Sequence, residues 1–136
     1  MKVQLLFIWI LRIAAAAIML QTLYFKFTAH PQSVALFTQL GMEPWGRIGT
    51  GIFELIASAL ILYPRTTGWG AGLGCGLMAG AIFFHLTKLG IKFDGDFGLF
   101  TMAVIAFVCC LALLVIYRNQ ILDKLLPGRQ HETLKV

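Results

Sequence analysis

The amino-acid sequence predicts an all-α integral membrane protein: a four-helix bundle with a short amphipathic helix in the first extracytoplasmic loop. Three observations carry this. First, 59% of the 136 residues are hydrophobic, about 80 side chains, against eleven Lys or Arg and six Asp or Glu, for a net charge of +5. A soluble domain is about a quarter charged, and disordered chains are polar, so both are excluded. Second, a bilayer-crossing helix takes about 20 apolar residues, and the apolar residues fall into four runs of that order. Third, none of these runs alternates polar and apolar residues as a barrel strand does.

The spans are expected at about 4–25, 47–64, 67–88 and 97–117. Thr66 to Thr87 and Phe97 to Tyr117 contain no Asp, Glu, Lys or Arg. Val3 to Phe25 is broken only by Arg12, and Ile48 to Pro64 only by Glu54. Lys2, the apolar run and Ala14-Ala15-Ala16-Ala17 share features with a cleaved signal peptide, but Arg12 sits where such a peptide is uncharged. A retained first helix is therefore expected, leaving near the interfacial aromatics Tyr24, Phe25 and Phe27. In the long connection that follows, Pro31 can start a helix with Val34, Phe37 and Leu40 on one face, and Gly41 can end it.

Tyr63, Pro64, Arg65 and Trp69 mark the opposite interface before the third span. There Gly68, Gly72, Gly76 and Gly80 repeat every four residues and Gly70, Gly74 and Ala81 lighten a second side, a spacing that lets helix backbones approach. The expected use is packing against two neighbouring spans, the alternative a seam between two copies. Cys75, Cys109 and Cys110 lie within spans and form no Cys-x-x-Cys, which reads as small buried hydrophobes rather than a dithiol relay. Residues 1–118 thus form one domain, and 119–136 a polar, solvated cytoplasmic tail broken at Pro127-Gly128.

The positive charge does not indicate nucleic acid, because basic residues lie between and beyond the spans rather than along one element. Six of them (Lys2, Arg65, Arg118, Lys124, Arg129, Lys135) fall on the side of the termini. Four (Lys26, Arg47, Lys88, Lys92) fall on the other, offset by Glu43, Asp94 and Asp96. The bias places both termini in the cytoplasm.

Charge inside hydrocarbon costs about 2.5–3.5 kcal/mol per residue on insertion scales, so Arg12 and Glu54 need partners. Counting rise per residue puts Arg12 roughly 12–14 Å from the inner end of its span and Glu54 roughly 9–12 Å from the outer end. In a core of about 30 Å these depths are close, and an Arg12–Glu54 pair is the expected solution. Lys26 follows Arg12 by nearly four turns and shares its face. Arg47, Thr50, Glu54 and Ser58 form one stripe, and His85 sits about one turn below the outer end of the third span. Arg12, Lys26, Glu54 and His85 are the candidate ligand-binding residues of a polar intramembrane pocket. No metal site is expected from one His and one Glu, and no heme-binding histidine pair lies within the spans.

Leu11-Arg12-Ile13, Phe25-Lys26-Phe27, Gly51-Ile52-Phe53-Glu54-Leu55, Tyr63-Pro64-Arg65, Gly76-Leu77-Met78-Ala79-Gly80-Ala81 and His85-Leu86-Thr87-Lys88 follow one another in an order and spacing that resemble the DoxX family of small bacterial inner-membrane proteins. The resemblance runs from about Ile8 to Tyr117. It implies a four-helix membrane bundle linked to membrane redox chemistry, since the family includes a subunit of thiosulfate:quinone oxidoreductase. It also points to Arg12, Lys26, Glu54 and His85. Two functions follow as expectations. One is an accessory or subunit of a membrane redox system, binding a quinone or similar lipid-soluble molecule and a partner membrane or redox protein. The other is a non-enzymatic scaffold or assembly factor in which an Arg12–Glu54 pair is purely structural. A transporter is weaker, as no internal repeat is evident.

Overall fold

The computed structural model describes residues 2–90 and 97–125. Helix α1 spans Lys2–Phe27, α2 Pro31–Gln39, α3 Trp45–Leu62 and α4 Thr67–Phe84, which continues into one π-helical turn over His85–Leu89. Helix α5 spans Gly98–Ile116 and α6 Arg118–Leu125. Four of these are long and apolar enough to cross a membrane: α1, α3, α4 with its π turn, and α5. Each lies within a few residues of its expected bounds. Helix α1 packs on α3 and α5, and α4 packs on the same two, so the spans close into a ring.

Small side chains set the spacing at the centre of that ring. Ala15, Ala57, Ala71 and Ala106 have no exposed surface, and Met19, Ile61, Cys110 and Leu113 fill the remaining space. The exterior carries Leu6, Phe53, Phe83 and Val108, each more than half exposed. Large apolar residues outside and small ones inside is the arrangement lipid favours, since the acyl chains reward no further burial of Phe or Leu while close backbone approach gains dispersion contacts.

Helix α4 does pack centrally between α3 and α5, mainly through Gly70 and Gly74 of the second side rather than through the four-residue row. A Cβ added at Gly70 would lie 2.6 Å from the Ile61 amide nitrogen and 2.8 Å from the Ala57 carbonyl oxygen; one at Gly74 would lie 2.6 Å from Cys110 Sγ. Of the four-residue row, only Gly68 is tight, at 2.8 Å from the Tyr117 carbonyl oxygen. A Cβ at Gly76 or Gly80 would meet nothing within 4 Å. The row is a real face of the helix, yet its outer half faces open space.

The short α2 begins as read, at Pro31, with His30 as its N-cap accepting from the Gln32 amide at Nδ1, 3.2 Å away. It ends in a Schellman motif: Gly41 takes φ +75°, Gly41 N–H donates to the Thr38 carbonyl and Met42 N–H to that of Phe37. Phe37 is its buried anchor.

The tail does not start as solvated chain. Its first residues form α6, and Gln120 there accepts from the Gly68 amide at 2.8 Å and donates to the Pro64 carbonyl at 2.7 Å. Thr66, the N-cap of α4, makes no side-chain cap bond, so a residue 52 positions away in sequence satisfies one of the orphan amides of that helix. Asp94, Asp96, Lys92, Pro127, Gly128, Arg129, His131 and Lys135 lie outside the described residues.

Candidate functional site

Arg12 is 1% exposed, but it does not pair with Glu54. Its Nε donates to the Ile61 carbonyl at 2.9 Å and a terminal nitrogen donates to that of Leu62. Its guanidinium carbon lies 3.8 Å from the centre of the Trp9 ring. The reason is depth. Helix α1 is 26 residues long and α3 only 18, and Arg12 falls level with the last turn of α3 rather than its middle. Carbonyls of a last helical turn have no intrahelical donor and, within lipid, no water. They also carry the negative end of the helix dipole, which a cation offsets. The arginine is therefore a helix cap supplied from a neighbouring span.

The arrangement is reciprocal. Arg47, buried near the start of α3, donates to the Lys26 carbonyl in the last turn of α1, and its Nε binds both Glu43 carboxylate oxygens at 2.9 and 3.0 Å. Each of the two antiparallel helices thus caps the C-terminus of the other. Near Arg47, Gly51 lets the Phe27 ring lie against α3; an added Cβ there would be 2.8 Å from Phe27 Cε1.

Glu54, 2% exposed, has a different partner from the one expected. Lys26 Nζ donates to Oε1 at 2.9 Å and to Oε2 at 3.1 Å, and the Thr22 hydroxyl donates to Oε2 at 2.6 Å. Lys26 and Arg12 do share a face of α1, as their spacing requires. They sit at opposite ends of it, and the nearer cation takes the carboxylate. Thr22 Oγ also lies 2.8 Å from the Met19 carbonyl, so its single proton has two acceptors and goes to the nearer, Glu54. Lys26 has three protons and two are spent on Glu54, which leaves one donor unspent among the described residues.

These groups stand at the wall of a cavity of about 420 Å³, within the range of small-molecule sites. Met19, Leu77, Met78, Phe84, Met102 and Ala103 supply apolar surface from α1, α4 and α5, and Leu36, Phe37 and Leu40 of α2 cover it from the outer side. Lys26, Glu54, Thr22 and His85 supply polar groups, with Gln32, Ser33 and Thr50 toward the covering helix. Gly76 and Gly80 also line it, which accounts for the open space beside them. Arg12 does not. Of the four candidate residues, the structure brings Lys26, Glu54 and His85 to one cavity and leaves Arg12 outside it.

His85 is 4% exposed rather than an interfacial histidine near headgroups. It opens the π-helical turn, and its Nδ1 lies 3.1 Å from the Gly90 carbonyl oxygen. That carbonyl can only accept, so Nδ1 carries the proton. Gly90 turns the chain back at φ +81°, a conformation glycine adopts without strain. The Phe100 ring meets the imidazole edge-on at 5.8 Å. Gln39 Nε2 donates to the Lys88 carbonyl at 3.1 Å and so ties α2 to the same turn.

Sequence reasoning missed Thr22, although its place one turn before Lys26 on the Arg12 face was a readable signal. It also missed Met19, Met42 and Met102, whose inward orientation no local pattern distinguishes. The described residues contain no group of three His, Cys, Asp or Glu side chains placed to hold a metal ion.

Fold and site together define a small multi-pass membrane protein whose half beneath α2 encloses an ion pair and a histidine around an apolar cavity. The family described as DoxX-like matches residues 10–115, which include all four candidate residues, and the chain belongs to that family. No curated protein and no solved structure matches it significantly.

Proposed function

We propose that the chain is an accessory or subunit of a membrane redox system and that its cavity receives the head of a quinone or similar lipid-soluble molecule. The observation supporting this is the composition of the cavity wall: a membrane-embedded, largely apolar chamber with an unspent Lys26 donor beside Glu54 and a buried His85. A flat apolar ring with polar oxygens at its edges fits the Lys26 donor and those walls. Quinone oxygens gain negative charge on reduction, which a fixed cation stabilises. Lys26 and His85 would hold the head, Glu54 and Thr22 would fix Lys26, and α2 would exclude water. The quinone would supply the electron-carrying chemistry; electrons would come from a partner redox protein. We further propose the bacterial inner membrane as the location, with both termini cytoplasmic, on the balance of basic residues.

The test is titration of the purified protein with a short-tailed quinone, using wild type, Glu54→Gln and Gly80→Leu. Gly80→Leu puts side-chain bulk into the cavity from a backbone position where a Cβ meets nothing. Saturable binding to wild type, weakened about tenfold or more in both variants, is expected from the loss of one buried polar contact or of cavity volume. Absence of saturable binding to wild type refutes the proposal.

A further inference from the structure

We infer that the cavity selects a head group bearing a hydroxyl, a phenol or quinol, over one whose oxygens only accept, and that His85 Nε2 makes the selection. The inference rests on the reading of the cavity as a site for a lipid-soluble redox molecule and names the form it takes.

The argument is an inventory of hydrogen-bonding capacity. Both carboxylate oxygens of Glu54 are engaged by Lys26 and Thr22. Arg12 and Arg47 bind carbonyls and Glu43 and do not line the cavity. Gln21, Gln32, Ser33 and Thr50 also line the cavity but are partly or fully exposed, and His85 is the buried polar side chain there with capacity left. The Gly90 carbonyl fixes the proton on Nδ1, so the neutral ring offers a lone pair at Nε2, and among the described residues no donor reaches that atom. A buried acceptor without a donor costs free energy that a ligand hydroxyl recovers. A quinone carbonyl at the same place sets two acceptors against each other. The opposite polar feature is the remaining Lys26 proton, which suits an oxygen acceptor. The Lys26 donor and the His85 acceptor in an apolar wall match a head with a hydroxyl toward His85 and a second oxygen toward Lys26. The orientation of the ring is built in by the π-helical turn and by Gly90 at φ +81°, which brings its carbonyl back to Nδ1. A histidine whose only role is to fill space needs no such orientation.

The experiment uses the full chain in nanodiscs. The probes are 4-nonylphenol, its methyl ether, and a short-tailed quinone with its quinol. Phenol and ether share shape and tail, and only the phenol can donate. Wild type is expected to bind the phenol about tenfold more tightly than the ether, the penalty a site built for a hydroxyl imposes on a partner that lacks one. The quinol should exceed the quinone in the same direction. His85→Leu is expected to bring the phenol down to the affinity of the ether while changing the ether itself less than about threefold. Equal binding of phenol and ether by wild type overturns the inference, as does discrimination that persists in His85→Leu. Should that variant fail to fold, the wild-type ratio decides alone. Quinone binding with no phenol preference sinks only this inference; no binding of any probe sinks the proposed function with it.

Discussion

The exchange of partners at Glu54 is open to a direct energetic test with two double-mutant cycles. Lys26→Met leaves the Glu54 carboxylate, whose side chain is 3% exposed, with Thr22 as its remaining partner. Breaking a buried pair from one side costs about 3–5 kcal/mol, and the partial exposure of Lys26, 13% of its side chain, reduces this to about 2–4. Glu54→Gln keeps the acceptor and leaves an ammonium that can reach toward the headgroups, for about 1–2 kcal/mol. The double variant restores neutrality with similar volumes and should cost little more than Glu54→Gln alone. The coupling energy is then about 2–3 kcal/mol. Arg12 stands ten residues before Thr22, about 15 Å along α1, and shares no partner with Glu54. Arg12→Met and Glu54→Gln should therefore add to within about 0.5 kcal/mol. Reversible unfolding in mixed detergent micelles measures both cycles. Coupling above about 1 kcal/mol between Arg12 and Glu54, or below about 0.5 between Lys26 and Glu54, refutes the assignment.

Arg12→Met should itself cost about 2–4 kcal/mol in the same unfolding assay, because the Leu62 carbonyl loses its donor while that of Ile61 keeps Thr67 at 3.0 Å. Arg12→Lys, with one ammonium in place of a planar fork, should recover part of this. Gly70→Ala should destabilise by about 1–3 kcal/mol, since backbone atoms at 2.6 and 2.8 Å cannot move aside, whereas Gly80→Ala should leave the melting temperature unchanged or raised. Gln120→Ala should cost about 1–2 kcal/mol by uncapping α4, visible as faster amide exchange at Gly68. Unaltered exchange there would detach α6 from the bundle.

The helices were legible because membrane spans obey composition. Runs of about 20 apolar residues have one stable form when water is absent. The start of α2 was legible for a local reason, Pro31 at the first turn, and so was its end, Gly41 beyond the last. Lys26, Glu54 and His85 were legible as ionisable groups in apolar surroundings. What could not be read was depth. A face repeats every turn, so Arg12 and Lys26 look equivalent along the helix axis, and only the relative stagger of α1 and α3 decides which reaches Glu54. That stagger depends on contacts between helices, such as Phe27 over Gly51, which no single segment encodes. The glycine row failed similarly. Gly68, Gly72, Gly76 and Gly80 do lie on one face, but whether a neighbour or a cavity meets that face is a property of the assembled ring.

The two ends of the α1–α3 pair show how a buried charge that serves the fold differs from one available to a ligand. Burial alone does not separate them, because Arg12 at 1% and Glu54 at 2% exposure are equally hidden. The distinction lies in remaining capacity and in what adjoins it. Arg12 meets two helix-terminal carbonyls and an aromatic ring, and it borders no described cavity; its charge answers a need the backbone creates. Lys26 keeps a proton and His85 keeps a lone pair, and both border the same chamber under α2. An ion pair needed only to dock α1 on α3 would be expected among packed side chains, as Arg12 is, because a cavity beside it forfeits dispersion contacts on one side. Placing the pair at the wall of an open chamber sacrifices that packing. A ligand that enters the chamber restores it, which is why the half of the bundle beneath α2, and not the half around Arg12, is where binding should be sought.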